Sequence, residues 1–351
     1  YRGDANGSFI KVSTGVIATD THNSRSALWC DFDNDLRPDL FIANSHDYDI
    51  VYRNYGSSSG GDAFVRYEIP GSQYTHTRSG ACGDYDGDGF TDLVTVGWNG
   101  ATLYRNDGSG NMVGSWTDRS FVRSRSATFG DFDGDGFLDL YIASGLGYNT
   151  QLSAILRNDQ SGSFTQLSTG ALAIERHDSH AAAFADIDND GRVDLFVARR
   201  SISALYLNTG GRASGLRALT SRPAVSATGA GVALALADVD RDGWLDLAVG
   251  YNYRAFSTPA GCFYGSTGAS ECHYASLFFN DGNGGFKDRN DTYRSLMFGG
   301  TTSDLVGVFD VNFADVDKDG APDLFVGNSY GSGSALFRND GLGQLQIVAQ
   351  P

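Results

Sequence analysis

The stretch Asp186-Ile-Asp-Asn-Asp-Gly-Arg-Val-Asp194 decides the fold of this chain. It places carboxylates at relative positions 1, 3, 5 and 9 and a glycine at position 6. Short acidic side chains on alternate residues of a tight loop can point inward, and glycine permits the positive φ that closes the loop. Crowded carboxylate oxygens suit Ca²⁺, which takes about six to eight oxygen ligands. The stretch therefore predicts a calcium loop.

The residues on either side of this loop predict strands. Ala-Ala-Ala-Phe-Ala at 181–185 precedes it and Leu-Phe-Val-Ala at 195–198 follows it, and both are short apolar runs typical of buried strands. An EF-hand would need flanking helices and a glutamate at position 12, whereas the closing acid here is Asp194 at position 9. We therefore expect a calcium loop between two β-strands.

The pattern occurs six times along the chain. One copy could be an acidic surface turn, but six copies, each followed by Leu and an apolar run, indicate a repeated metal loop. The first copy departs from the pattern, because it has Leu36 where the others have glycine. The predicted ligands of about six Ca²⁺ ions are Asp31, Asp33, Asp35 and Asp39; Asp84, Asp86, Asp88 and Asp92; Asp131, Asp133, Asp135 and Asp139; Asp186, Asp188, Asp190 and Asp194; Asp238, Asp240, Asp242 and Asp246; and Asp315, Asp317, Asp319 and Asp323.

The spacing of the loops predicts an all-β propeller. Their first aspartates are separated by 53, 47, 55, 52 and 77 residues, and a period near 50 with only strand patterns is typical of four-stranded antiparallel blades. The calcium loop joins strands one and two, and Asn-Asp-Gly turns end strand three. The long spacing reflects an insertion at 251–275 in the fifth complete blade, and a loop of that length is more often functional than accidental.

The number of blades depends on the N-terminus. Residues 1–9 align with a third turn and a fourth strand, which predicts six complete blades and a partial one. Seven blades is the preferred interpretation, with the missing strands upstream or supplied by a partner, and six is the alternative. In either case we expect one propeller domain over 1–351.

The D-x-D-x-D-G-x-x-D-L motif resembles the FG-GAP or VCBS repeats of the integrin α-subunit head and of many secreted or surface proteins. The resemblance covers essentially the whole chain. It implies a propeller with calcium at the turns between strands one and two and, in most relatives, adhesion or ligand binding. It does not identify a ligand, since one fold hosts many functions.

Composition and cysteines favour an extracellular protein. The formal charge of −16 is mostly that of the loops, and it argues against nucleic acid as a partner. No apolar run is long enough for a membrane span. Cys262 and Cys272 bracket a short flexible loop and are predicted to form a disulfide, whereas Cys30 and Cys82 are either buried thiols or a second bridge. Asn6 and Asn290 are glycosylation acceptors if the chain is secreted.

Two groups of residues predict a ligand surface at the end of the blades opposite the calcium. Arg25, Arg78, Arg125 and His180 each stand six residues before a first loop aspartate, with Val232 and Phe309 in the last two blades. They either bond carbonyls between blades or form a cationic funnel for a uronic acid or sulfate. Loops between strands two and three carry aromatic residues and amides, which suit a sugar ring: Asn44, His46 and Tyr48; Trp98 and Asn99; Tyr148 and Asn149; Tyr251, Asn252 and Tyr253; Asn328 and Tyr330.

The leading functional hypothesis is a secreted or surface, calcium-stabilised propeller that binds a glycan or an extracellular protein. One alternative is a structural module of an extracellular filament or receptor, in which more chain or a partner completes the first blade. Another is a polysaccharide lyase or hydrolase with Arg125, His177 and His180 at the channel mouth. Because the sequence shows no nucleophile–base signature, we do not expect an enzyme.

Overall fold

The computed structural model describes residues 2–3, 9–56, 63–145, 153–160, 162–167, 177–200, 203–210, 219–223, 231–251, 262–264, 270–272, 275–287, 308–328 and 334–349. At 2–3, 9, 219–223, 262–264, 270–272, 328 and 349 only the backbone is described. These residues form an all-β propeller of six four-stranded antiparallel blades. The chain divides into two compact units, formed chiefly by Phe9–His177 and Asp178–Pro351, and each holds three blades.

The first unit contains blades 1 to 3, preceded by strands β1 (Arg2–Gly3) and β2 (Phe9–Ile10) and helix α1 (Val16–Thr19). A 3-10 turn at Ser72–Tyr74 separates blades 1 and 2. Blade 1 consists of β3 (Ser24–Cys30), β4 (Asp39–Asn44), β5 (Ile50–Asn54) and β6 (Phe64–Glu68). Blade 2 consists of β7 (Thr77–Gly83), β8 (Asp92–Gly97), β9 (Gly100–Asn106) and β10 (Met112–Asp118). Blade 3 consists of β11 (Ser124–Gly130), β12 (Asp139–Ser144), β13 (Ala154–Asn158) and β14 (Phe164–Gln166).

The second unit contains blades 4 to 6. Blade 4 consists of β15 (Ser179–Ala185), β16 (Asp194–Arg199), β17 (Ala204–Asn208) and β18 (Leu219–Pro223). Blade 5 consists of β19 (Gly231–Ala237), β20 (Asp246–Tyr251), β23 (Ala275–Asn280) and β24 (Phe286–Lys287), and its insertion holds a ribbon of β21 (Cys262–Tyr264) and β22 (Ser270–Cys272). Blade 6 consists of β25 (Val308–Ala314), β26 (Asp323–Asn328), β27 (Ala335–Asn339) and β28 (Leu345–Ala349).

Within the described residues the structure shows six blades, the alternative number, and not the preferred seven. In the described part of the chain, β1 pairs only with β2 and makes a two-stranded ribbon, so the N-terminal residues add no four-stranded sheet. Residues 1–9 do resemble the end of a blade in sequence. Turn chemistry is local, however, and it does not supply the first two strands that a blade needs.

The hydrophobic core lies between neighbouring blades. The second strands β8, β12, β16 and β20 are buried along their whole length, because each is covered on both faces. In the first unit, residues of blades 1 and 2 form one buried cluster that includes Phe32, Phe41, Leu93 and Tyr104. The apolar runs after each loop are therefore the contacts that hold one blade against the next.

The first strand of every blade carries a bulge near its start. The register shifts at Ser24/Ser26, Thr77/Ser79, Ser124/Ser126, Ser179/Ala181, Gly231/Ala233 and Val308/Asp310. Each bulge leaves one residue unpaired, and bulges re-aim such side chains. The unpaired residues are Arg25, Arg78, Arg125, His180, Val232 and Phe309.

Candidate metal centres and ligand surface

Each aspartate loop turns on two residues in the left-handed region. In the second loop these are Gly87 at position 4 (φ 74°) and Gly89 at position 6 (φ 89°). The first loop makes the same turn with Asn34 (φ 56°) and Leu36 (φ 65°), so its leucine does not change the loop geometry. Position 4 is a second turn position beside the predicted position 6, and Gly or Asn stands there in four of the six loops.

The first and fifth carboxylates hold the loop backbone. Asp84 at position 1 accepts hydrogen bonds from the N–H groups of Asp88 (3.1 Å) and Gly89 (2.8 Å). Asp88 at position 5 accepts one from the N–H of Phe90 (3.0 Å). The position-1 bonds recur in all six loops, and so does the position-5 bond. The loops are therefore shaped by their own acids.

The aspartate at position 9 is buried and fixed by two backbone N–H groups. Asp92 accepts at Oδ2 from Tyr85 (3.1 Å) and at Oδ1 from Asn106 at the end of strand three (2.7 Å). The other five loops have the same two bonds. Burial raises the pKa of Asp92, Asp139 and Asp246 to about 7 and that of Asp194 to about 6. A cation beside these carboxylates would oppose this effect.

Three carboxylates converge in each of five loops and could hold a metal ion. They are the acids at positions 1, 3 and 9, whose ligand atoms lie within 4.8 Å of one another in the loops that begin at Asp31, Asp84, Asp131, Asp186 and Asp238. The position-5 acids, also predicted as ligands, lie outside these groups. Oδ1 of Asp33, Asp133 and Asp188 is buried without a hydrogen-bond partner. A buried carboxylate oxygen with no donor fits a cation ligand, because leaving it unmatched is costly.

Arginines neutralise part of the charge of the loops. Arg105 lies 2.6 Å from Asp86 Oδ2 and 2.8 Å from Asp88 Oδ2. Arg157 lies 2.5 Å from Asp133 Oδ2, opposite the unpartnered Oδ1 of the same side chain. In blade 3, position 3 thus has one oxygen beside an arginine and one buried oxygen without a hydrogen-bond partner.

The asparagine at the end of strand three connects a loop to its neighbour, a role that the sequence analysis missed. Asn106 Nδ2 donates to Thr91 O in its own loop (2.9 Å) and to Phe32 O in the loop of blade 1 (2.6 Å). Equivalent bonds between blades join Asn158 to Tyr85, Asn280 to Ile187, and Asn339 to Val239. The sequence signal for this role is the recurring Asn-Asp dipeptide, which also fits a hairpin turn.

Four arginines of the first unit form a positive cluster at the other end of the strands. The pKa of Arg78 is lowered to about 10, first by burial and then by the positive charges of Arg125, Arg25 and Arg123. The guanidinium carbons of Arg78 and Arg123 lie 4.8 and 4.9 Å from the Trp98 ring centroid. Trp98 is 43% exposed, and Arg123 has a left-handed backbone (φ 61°). We call Arg25, Arg78, Arg123, Arg125 and Trp98 the arginine–tryptophan cluster.

The remaining predicted ligand residues differ in their surroundings. His180, in the second unit, lies 3.3 Å from Asp178. Tyr251 is 2% exposed, so it offers no stacking surface, and Asn44 is buried and donates to Tyr48 O (2.7 Å). These two therefore act within the fold. Tyr148, Asn149, Asn252, Tyr253 and Tyr330 lie outside the described residues, as do the glycosylation sites Asn6 and Asn290.

Cys30 and Cys82 form a disulfide between the first strands of blades 1 and 2. This pairing resolves the alternative that the sequence left open. Cys262 and Cys272 stand directly opposite each other in the β21–β22 ladder, but their side chains are outside the described part, so their bond stays a prediction. Within the described residues, the structure contains no helix that is long and apolar enough to cross a membrane.

Comparison with known proteins identifies the repeats. Residues 31–95, 84–142, 131–197 and 186–249 match the FG-GAP-like repeat model, and residues 230–269 match the FG-GAP repeat model. No curated protein matches the chain.

Among solved structures, an Agrocybe aegerita lectin, described as recognising non-reducing terminal N-acetylglucosamine, is 18% identical, with a TM-score of 0.60 over 95% of this chain and 82% of the lectin. Saccharomyces cerevisiae Sqt1 is 14% identical, with a TM-score of 0.52 over 93% of this chain and 86% of Sqt1. At these identities the likeness concerns the fold alone. The repeat matches cover more than half of the sequence, and the chain therefore belongs to the FG-GAP repeat family.

Proposed function

We propose that this protein is a calcium-stabilised recognition module that binds an extracellular glycan or protein and catalyses no reaction. Calcium is the proposed ion because every ligand in the three-carboxylate groups is a hard oxygen. The residues at positions 1, 3 and 9 would hold it. The positive charge of the ion would offset the cost of burying the ionised position-9 carboxylate. The paired cysteines and the family's usual setting support an extracellular location.

The observation that carries the binding proposal is the arginine–tryptophan cluster. Arg25, Arg78 and Arg123 form no ion pair with a carboxylate in the described part of this acidic protein. Like charges held together cost free energy, so an external anion would be favourable there. The exposed indole of Trp98 supplies an apolar surface beside the charges. The GlcNAc-binding lectin with the same fold gives a precedent for glycans as ligands.

A panel of immobilised glycans and matrix proteins, probed with fluorescent protein in millimolar Ca²⁺, tests this proposal. Arg78→Gln should weaken binding to any ligand found, because it removes a cluster charge. Arg66→Gln is a matched control. Arg66 lies on β6, the outer strand of blade 1, and is already paired with Glu68 at 2.8 Å. Equal loss with both variants, or none with either, would contradict the proposal.

A further inference from the structure

A cleft of about 670 Å³ opens on blade 2, and Asn99 is the one lining residue among those that the sequence predicts to bind a ligand. This volume lies within the range of roughly 300–1,000 Å³ that small-ligand sites occupy. Strands β9 and β10 contribute Thr102, Tyr104, Gly114 and Thr117, and Asn99 and Gly100 lie at the turn between β8 and β9. The segments before and after the blade contribute the remaining walls. Gly114 leaves its part of the wall open, because an added Cβ would approach only Tyr104 Cε1, at 4.0 Å.

The chemistry of the walls fits a sugar. Tyr74 is 75% exposed and offers a ring face for the C–H side of a pyranose. Hydroxyls of Thr102 and Thr117, and the Asn99 amide, whose Nδ2 donates to Tyr74 O, leave acceptors for sugar hydroxyls. Aromatic and polar groups therefore meet in one concave surface.

The cleft and the arginine–tryptophan cluster share three chain segments. Asn99 and Gly100 follow Trp98, Val122 precedes Arg123, and Thr75 stands three residues before Arg78. Backbone hydrogen bonds tie these segments together, from Trp98 N to His76 O (3.2 Å) and from Arg123 N to Trp98 O (3.2 Å). Arg119 also lines the cleft, and like Arg123 it has no ion pair with a carboxylate in the described region. The cleft thus borders the positive charges of Arg119 and Arg123.

We infer that the ligand is an acidic polysaccharide, with one sugar ring in the blade 2 cleft and its carboxylate or sulfate on the neighbouring arginines. This inference rests on the proposed binding function and adds its ligand class. Guanidinium groups bind both acids through paired N–H donors, so the arrangement recognises the shared anionic chemistry.

Isothermal titration with four probes tests the inference: a hexagalacturonate, a sulfated galactan hexamer, a neutral galactan hexamer and a deca-aspartate peptide. Gly114→Leu fills the cleft, and Val113→Leu, one residue earlier and 57% exposed, is its matched control. We expect at least one acidic hexamer to bind, and Gly114→Leu to raise its Kd by about tenfold or more, which equals about 1.4 kcal/mol. Val113→Leu should leave Kd unchanged. Comparing the two acidic hexamers shows which acid group is preferred.

The salt dependence separates the charge from the cleft. Arg123→Gln should weaken the binding of acidic hexamers and reduce the change in Kd between about 50 and 200 mM NaCl.

If the arginine variants weaken binding but Gly114→Leu does not, and its melting curve shows that it is folded, the cleft assignment fails and the proposed function stands. Equal binding of the neutral hexamer, or tighter binding of deca-aspartate, overturns the acidic-glycan inference. If Gly114→Leu fails to fold, Tyr74→Ser replaces it with the same expectations. If neither cluster nor cleft variants affect any bound ligand, both proposals fail.

Discussion

At the scale of single residues, Leu36 occupies a backbone conformation that the other five loops give to glycine. Its φ of 65° costs a leucine about 1–2 kcal/mol, and its side chain recovers little, since it is 91% exposed. The loop nevertheless closes, because Leu36 N–H donates to Asp31 Oδ2 at 2.8 Å, as the glycines do in their loops. The acids therefore enforce the turn even where the residue opposes it.

Leu36→Gly should stabilise the protein by up to about 1 kcal/mol. The gain is the relieved strain minus the entropy that glycine adds to the unfolded chain. Urea unfolding, at fixed calcium, measures it. Leu342→Gly is the matched control, because Leu342 is also exposed (71%) but has no positive φ, so that change should be neutral or unfavourable. A destabilised Leu36→Gly variant would mean that the side chain makes a contact important for stability.

At the scale of elements, the strand-three asparagines join successive blades. Asn158 donates to Tyr85 O (2.7 Å) and to Leu138 O (3.1 Å), and its side-chain oxygen accepts from Gln160 N–H. Asn158→Ala removes three hydrogen bonds and leaves buried carbonyls unmatched, so it should cost about 2–3 kcal/mol of unfolding free energy. Asn54→Ala is a useful comparison and should cost less, since among the described residues Asn54 Nδ2 donates only to Pro38 O in its own loop. Similar losses for both would show that the bond between blades adds nothing.

The Cys30–Cys82 disulfide is a second connection between blades, and it closes a separation of 52 residues. Loops of that length give a disulfide roughly 2–4 kcal/mol through the unfolded state. The double change Cys30→Ala and Cys82→Ala should therefore lower Tm by several degrees. Reductant should lower the wild-type Tm similarly and leave the double variant unaffected. Reductant sensitivity that persists in the variant would point instead to the Cys262–Cys272 pair.

The sequence predicted features that depend on neighbouring residues better than features that depend on distant ones. The loop acids and the strands beside them were predictable, because the motif that marks each loop lies within nine residues. The partners of Asn106 and Cys30 lie in other blades, so their roles depend on how blades pack. The cleft could not be predicted either, because it combines Tyr74 with Thr117, which lies on the outer strand of blade 2 and is distant in sequence. The N-terminal residues led to the prediction of a seventh blade because their turn chemistry is local and does not show which strands pair.

At the scale of the whole molecule, metal should contribute much of the stability. Carboxylate oxygens within 4.8 Å of one another repel by about 3–4 kcal/mol per pair at an effective dielectric of about 20, and Arg105 and Arg157 offset part of this. EDTA should therefore lower Tm by several degrees, and Asp188→Ala should lower Tm in calcium while reducing the further effect of EDTA. Asp20→Ala, an acid outside the loops, is the control. An unchanged melting curve in chelator would contradict metal binding.

Calcium should abolish or reverse the pH dependence of the protein's stability. In the metal-free protein, the pKa of Asp92, Asp139 and Asp246 is about 7, above the unfolded value near 3.9. The folded state therefore binds more protons in this range, and the free energy of unfolding falls as pH rises toward about 7. Buried Asp49, with its pKa raised to about 7, acts in the same direction.

Calcium requires ionised ligands, so its stabilisation of the folded protein grows as pH rises. We expect Tm in EDTA to fall between about pH 5.5 and 7.5, and Tm in millimolar calcium to stay level or rise. Asp92→Asn should weaken both trends. Parallel curves with and without calcium would show that the position-9 carboxylates do not bind the ion.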